Sequence, residues 1–161
     1  MKLADLVVLL SVVALSTISV AKDSMAQDTA NELSAVTFSS TDTNEDKELS
    51  LSELTEMAMN IAISMDSDDD LIINKSEFME WDFGFHYLAE EKGDGDRYAA
   101  VKRVMFAVQD LDSGGSINPR ELRINTYWSF LRADLNNDRV LSEAEYLKAW
   151  MPILMMKAAP E

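Results

Sequence analysis

The 161-residue sequence predicts an all-α fold with short antiparallel β bridges between paired loops. Three observations carry that expectation. Oxygen-bearing side chains recur in four twelve-residue windows, at 42–53, 66–77, 110–121 and 134–145. The segments Leu54 to Met65 and Leu122 to Ala133, each joining two windows, contain neither Gly nor Pro, so each reads as one continuous helix. Phe38, Phe106 and Phe130 stand four positions before three of the windows, where helical spacing sends one aromatic per entering helix into a shared core.

Taken in order, Lys22 to Thr29 is polar, and Asn31 to Ser40 reads as the helix entering the first window. Before the second window Ala62 replaces the aromatic, with Ile61 beside it to compensate. Phe78, Trp81, Phe85 and Leu88 continue at helical spacing beyond the second window, weakened at Gly84. The stretch from Phe78 to Gln109 accommodates two helices and a turn, placed at Gly93-Asp94-Gly95-Asp96. Leu122, Tyr127, Trp128 and Leu131 mark the next helix, and Tyr146, Leu147 and Trp150 the last. Pro152 ends or kinks that helix, leaving Met155 and Met156 to pack loosely.

The windows begin at 42, 66, 110 and 134, so the second pair repeats the first, a duplication of a loop-helix-loop unit. Twelve helical residues span roughly 18 Å, whereas bridging strands lie about 5 Å apart. Neighbours within a pair are therefore held too far apart to bridge. The second window is expected to bridge to the third across Ile73 and Ile117, and the first to the fourth across Leu49 and Leu141.

Within the windows the donors follow one spacing. Asp42, Asn44, Asp46, Ser50 and Glu53 occupy positions 1, 3, 5, 9 and 12 of the first, and Glu48 offers a backbone carbonyl at position 7. Asp66, Asp68, Asp70, Asn74 and Glu77, with Ile72 at position 7, repeat it. Asp134, Asn136, Asp138, Ser142 and Glu145, with Val140, do so again. The third window has Asp110, Asp112, Asn118 and Glu121, with Ser116 at position 7, but Gly114 stands at position 5. An all-oxygen set of about 6–8 ligands suits calcium. Helix capping would account for positions 9 and 12, as in Ser50-x-x-Glu53, but not for Asp or Asn at 1, 3 and 5, nor for the aliphatic at position 8 of every window.

In these windows the chain resembles the EF-hand calcium-binding proteins, the broad class that includes calmodulin and its bacterial counterparts. The resemblance covers about residues 30 to 150. It implies an array of four helix-loop-helix hands in a single domain, 22–161, with Ca²⁺ as the ligand. It also implies that Glu53, Glu77, Glu121 and Glu145 close the loops as bidentate ligands. Position 6 of such loops normally holds Gly; Lys47, Leu71 and Arg139 depart from that, and Gly115 does not. Loops 1, 2 and 4 are expected to be calcium sites and loop 3 a weak one, with affinities of about 10⁻⁴ to 10⁻³ M.

Composition narrows the function. Asp and Glu total 29 against 14 Lys and Arg, giving a net charge of -15, so a nucleic-acid partner is not expected and calcium ions are. Cysteine is absent and His86 is the only histidine, which excludes disulfides, thiolate sites and multi-histidine zinc. Every conspicuous acidic cluster falls in a window, so no enzymatic role is expected. Lys2 precedes an apolar run from Leu6 to Val20, and Ser19-Val20-Ala21 suits cleavage, so residues 1–21 read as a signal peptide, with a second cut possible after Ala26. The run is shorter than the roughly 20 residues of a bilayer-spanning helix. A secreted or periplasmic protein with no stable membrane span after cleavage is the expectation, its role structural or buffering. The alternative is a calcium sensor presenting an aromatic and Met-rich groove to a partner protein. Met57, Met59, Met65, Met79 and Met105 suit either that groove or ordinary core filling.

Overall fold

The computed structural model describes residues 31–150 and 152. The stretch 1–21, expected to be a signal peptide, and the tail around Met155 and Met156 lie outside them. The described chain is mostly helical, with two small antiparallel sheets. Helix α1 covers 31–41. Then follow β1 (Glu48–Leu49), α2 (Leu51–Met65), β2 (Ile73–Asn74), α3 (Lys75–Glu80), α4 (His86–Lys92) and α5 (Gly95–Gln109). The last elements are β3 (Ser116–Ile117), α6 (Pro119–Ala133), β4 (Leu141–Ser142) and α7 (Glu143–Ala149).

The two long helices α2 and α6 form as their uninterrupted sequences predict. Each starts at a reciprocal cap: Ser50 and Glu53 bracket the first turn of α2, and Asn118 and Glu121 that of α6, where Pro119 supplies a pre-set φ. Because these helices hold neighbouring loops apart, pairing is crosswise. β1 joins β4 with Leu49 opposite Leu141, and β2 joins β3 with Ile73 opposite Ile117. Both expected pairings and both registers are observed.

Crosswise pairing divides the core. The expectation of one shared core is corrected to two clusters, each beneath one small sheet. Met65, Ile73, Phe78, Phe85, Tyr98, Phe106 and Ile117 form the first, with Ile61 and Ala62 packed against it. Phe38, Leu49, Leu54, Phe130, Leu141, Tyr146 and Trp150 form the second. Edge-on ring contacts tie each together, Phe78 to Phe106 at 5.5 Å and Phe38 to Tyr146 at 5.6 Å between centroids.

A second correction concerns the aromatic stretch after Glu77. α3 stops at Glu80, residues 81–85 turn, and α4 begins at His86, so the helical spacing of Phe78, Trp81 and Phe85 spans a break. Gly84 sits at φ +85°, and Leu33 of α1 lies 3.3 Å from where its Cβ would be. The expected turn at Gly93 does form, with Gly93 left-handed at φ +80°. Lys102 of α5 seals the break: its ammonium donates to the carbonyls of Met79 at 2.7 Å and Trp81 at 2.6 Å. Burial pulls its pKa down, and Asp82 opposes that shift.

One buried polar atom has no partner among the described residues, the hydroxyl of Tyr146. Desolvation drives that phenol's pKa well up. An unsatisfied buried hydroxyl costs about 1 kcal/mol or more. Tyr146→Phe is therefore expected to raise stability by about 1 kcal/mol, read as a higher melting temperature in a thermal unfolding scan.

Candidate metal centre

The four loops share one backbone design. In each, positions 4 and 6 take positive φ: Glu45 and Lys47, Asp69 and Leu71, Ser113 and Gly115, Asn137 and Arg139. All seven non-Gly residues with positive φ among the described residues belong to this set. Position 6 was legible through the resemblance. Position 4 was missed, although three of its four residues are Asp, Ser or Asn, short side chains common in turns.

The twist at position 6 turns backbone N–H groups inward onto the first Asp. The N–H of Lys47 donates to Asp42 Oδ2 at 2.9 Å, and those of Leu71, Gly115 and Arg139 do the same for Asp66, Asp110 and Asp134 at 2.8, 2.9 and 3.1 Å. The position-5 carboxylates accept from the N–H two residues on, at position 7: Ile72 N–H to Asp70 at 2.7 Å, Glu48 N–H to Asp46 at 2.9 Å and Val140 N–H to Asp138 at 3.1 Å. In the third loop Asp112 Oδ1 accepts from Gly114 N–H at 2.9 Å. That oxygen lies 2.7 Å from where a Cβ on Gly114 would be. Asn44 and Asn136 accept the same bond from the N–H groups of Asp46 and Asp138 at 2.9 Å, so the third loop keeps this turn without a position-5 carboxylate.

A left-handed conformation at a residue with a Cβ costs about 1–2 kcal/mol. Leu71, at φ 65° and largely exposed, bears that cost without a buried contact to offset it. Leu71→Gly is expected to stabilise the second loop by about 1 kcal/mol or less, seen as slower amide exchange at Asp70 and Ile72.

Each closing glutamate ties the two ends of its loop together. One oxygen accepts from the position-2 N–H, at 3.1 Å for Thr43 to Glu53, 2.9 Å for Ser67 to Glu77, 2.9 Å for Leu111 to Glu121 and 3.0 Å for Leu135 to Glu145. The other accepts from the position-9 N–H, from Ser50, Asn74, Asn118 and Ser142 at 2.9 to 3.0 Å. All four glutamates are buried. The position-9 side chains serve as helix N-caps, so at that position the capping role is realised. Counting hydroxyl and amide donors as well, Glu53, Glu121 and Glu145 each accept four hydrogen bonds and Glu77 three, about as many as a carboxylate has lone pairs, so a bound ion would take the place of some of these donors.

Acidic groups converge in two loops. Carboxylate oxygens of Asp66, Asp68 and Asp70 lie within 4.8 Å of one another, as do those of Asp110, Asp112 and Glu121. The third loop, ranked weakest from sequence, is thus one of the two that gather three carboxylates. In the first and fourth loops position 3 is an amide: Asn44 Nδ2 donates to Asp46 at 2.9 Å and Asn136 Nδ2 to Asp138 at 2.8 Å. An all-oxygen, acid-rich donor set of this kind fits a hard divalent cation.

Protonation equilibria reflect the crowding. Asp68 is shifted upward, first by desolvation and then by the charges of Asp70 and Glu77. The closing glutamates go the other way. Glu77 is lowered by N–H groups of Ser67 and Asn74. Glu145 is lowered chiefly by the Ser142 hydroxyl. For Glu53 desolvation opposes ionisation, but donors from Ser50 and Thr43 outweigh it and the net shift is downward. A carboxylate with a lowered folded pKa adds stability above its unfolded value, about 4.3 for Glu, and loses it as pH falls through the folded value. The metal-free protein is expected to lose stability below about pH 4.3, with Asp68 relieving a small part as it protonates. Melting temperatures from pH 6 to 3 check this.

No family model matches the chain, and a search of the curated proteins returns no match. Among the described residues no helix is long and apolar enough to cross a membrane.

Proposed function

We propose that the chain is an exported calcium-binding protein of the EF-hand type, in which calcium stabilises the fold and the protein serves a structural or buffering role. The observation that supports this reading best is the four-fold repetition of one loop backbone, with positive φ at positions 4 and 6 and carboxylates at positions 1 and 12 each time. A solvated acidic turn has no reason to repeat both. The residues that would hold the ion are Asp42, Asp46 and Glu53 with Asn44; Asp66, Asp68, Asp70 and Glu77; Asp110, Asp112 and Glu121; and Asp134, Asp138 and Glu145 with Asn136. The bound ion would supply positive charge that the clustered carboxylates lack. The chain's own contribution is to fix the loop, through N–H donors on the first and last carboxylates, and to couple loops across the two small sheets.

A sensor role is the second reading. An apolar groove lined by Met57, Met65, Met105, Phe78, Leu122 and Trp150 runs between the two core clusters and favours it. Equilibrium dialysis at millimolar calcium tests the binding itself: several ions retained per chain is the expected result, and none retained refutes it. Trp fluorescence in the same samples separates the roles. Trp81, Trp128 and Trp150 sit on or at the end of three different helices, so an unchanged spectrum at saturation fits the static role and a large shift fits the sensor.

A further inference from the structure

All six arginines of this acidic chain lie between Arg97 and Arg139, and three of them, Arg120, Arg123 and Arg132, are exposed on α6. The solvent side of that helix also carries Trp128, Tyr127 and Leu131, exposed by 59%, 43% and 42%. The one carboxylate of the helix, Glu121, is buried, so the exposed face bears no negative charge. At about 100° per residue, Tyr127, half-buried Ile124 and Trp128 flank Leu131, and Arg123 and Arg132 stand about 80° and 100° to either side. The tyrosine and tryptophan rings touch, with centroids 5.7 Å apart. Among the described residues no ion pair engages the three arginines. Sequence periodicity marked Tyr127, Trp128 and Leu131 as helical positions, but it did not say that they would face water.

From this arrangement we infer that the exposed face of α6 docks on an anionic phospholipid surface. An apolar, aromatic stripe edged by arginines is the pattern of a helix lying in a bilayer interface: rings and aliphatic groups enter the headgroup boundary, and the guanidinium groups reach lipid phosphates. The opposite side of α6 packs on α2, so the stripe is an outward ridge on one helix and suits a flat, deformable partner. The net charge of the chain does not forbid this. At physiological salt the screening length is about 8 Å, so the charges of the docking face itself decide the local interaction. The inference is argued from the exposed residues of α6, whose two ends join the acidic third and fourth loops.

Co-sedimentation of the full chain with vesicles tests it, comparing phosphatidylcholine alone with phosphatidylcholine containing about a third phosphatidylglycerol. The N-terminal apolar run is common to every variant, so differences between variants report the face. With three arginines at the surface, a preference for the anionic vesicles of about a hundredfold is expected. The triple variant Arg120→Gln, Arg123→Gln, Arg132→Gln should lose most of that preference, and Trp128→Asp should weaken binding at least tenfold. A control with equal charge change elsewhere, Lys75→Gln, Arg103→Gln, Lys148→Gln, should keep it. These substitutions are at exposed positions, and circular dichroism verifies the fold. Three results would overturn the inference: no anionic preference in the parent chain, equal loss in the control, or an unaffected Trp128→Asp variant. So would sedimentation velocity showing that the α6 variants abolish self-association, since the face would then be meeting a second copy or its acidic loops.

Discussion

About 10 mM calcium is expected to raise the unfolding free energy of the full chain by roughly 4 to 8 kcal/mol, because a ligand at 10 to 100 times its dissociation constant adds about 1.4 to 2.7 kcal/mol per site. Three sites of the affinity expected for such loops give that range. Thermal unfolding with calcium and with a chelator measures it. Glu145→Gln sharpens the result. A capping box accepts Gln as well as Glu, so the helix start after Ser142 survives, while the negative charge and the second carboxylate oxygen are lost. Metal-free stability should fall by about 1 kcal/mol for the altered hydrogen bonds, and the calcium-dependent gain should shrink by one site's share. A role confined to helix capping would leave the gain untouched.

Leu49→Ala and Leu141→Ala are each expected to cost about 2 to 5 kcal/mol. Both side chains are fully buried, directly opposite one another where β1 meets β4. The pair should not be additive: residues in contact couple by about 0.5 to 3 kcal/mol, and once one is removed the second truncation deepens an existing cavity. Chemical denaturation of the two single variants and the double variant measures the coupling. Leu49→Ala should also weaken cation binding at the fourth loop more than at the second, although the second is far nearer in sequence. Equal weakening of both would mean that the crosswise bridge does not transmit the change.

The crosswise pairing was legible because it follows from two lengths alone, the rise of an uninterrupted helix and the separation of paired strands. The helices α2 and α6 met the first condition without a Gly or Pro, and their reciprocal caps could be read from Ser50-x-x-Glu53 and Asn118-x-x-Glu121. The division into two cores follows from the same pairing but escaped the reading of Phe38, Phe106 and Phe130 as one shared set. An entering-helix aromatic packs beneath its own loop's partner, and those partners differ.

Other features have no signal in periodicity. Phe78, Trp81 and Phe85 keep helical spacing across a break that Gly84 and the contact with Leu33 impose, so spacing alone reads through it. Lys102 looks like any helix-surface lysine in sequence; only the folded chain brings the carbonyls of Met79 and Trp81 to its ammonium. For the loops, donor spacing was legible and donor crowding was not. Gly114 reads as a lost ligand, yet the loop keeps the turn at Asp112 that the other loops make at Asn44 and Asn136, and Asp110, Asp112 and Glu121 remain within 4.8 Å.

Calorimetric titration of the full chain with calcium at millimolar concentration bears most directly on the proposed role of these loops. Three ions bound with dissociation constants near 10⁻⁴ to 10⁻³ M, and a fourth either weaker or matched if the carboxylates of the third loop suffice, is the expected outcome. Fewer than two bound ions would contradict it.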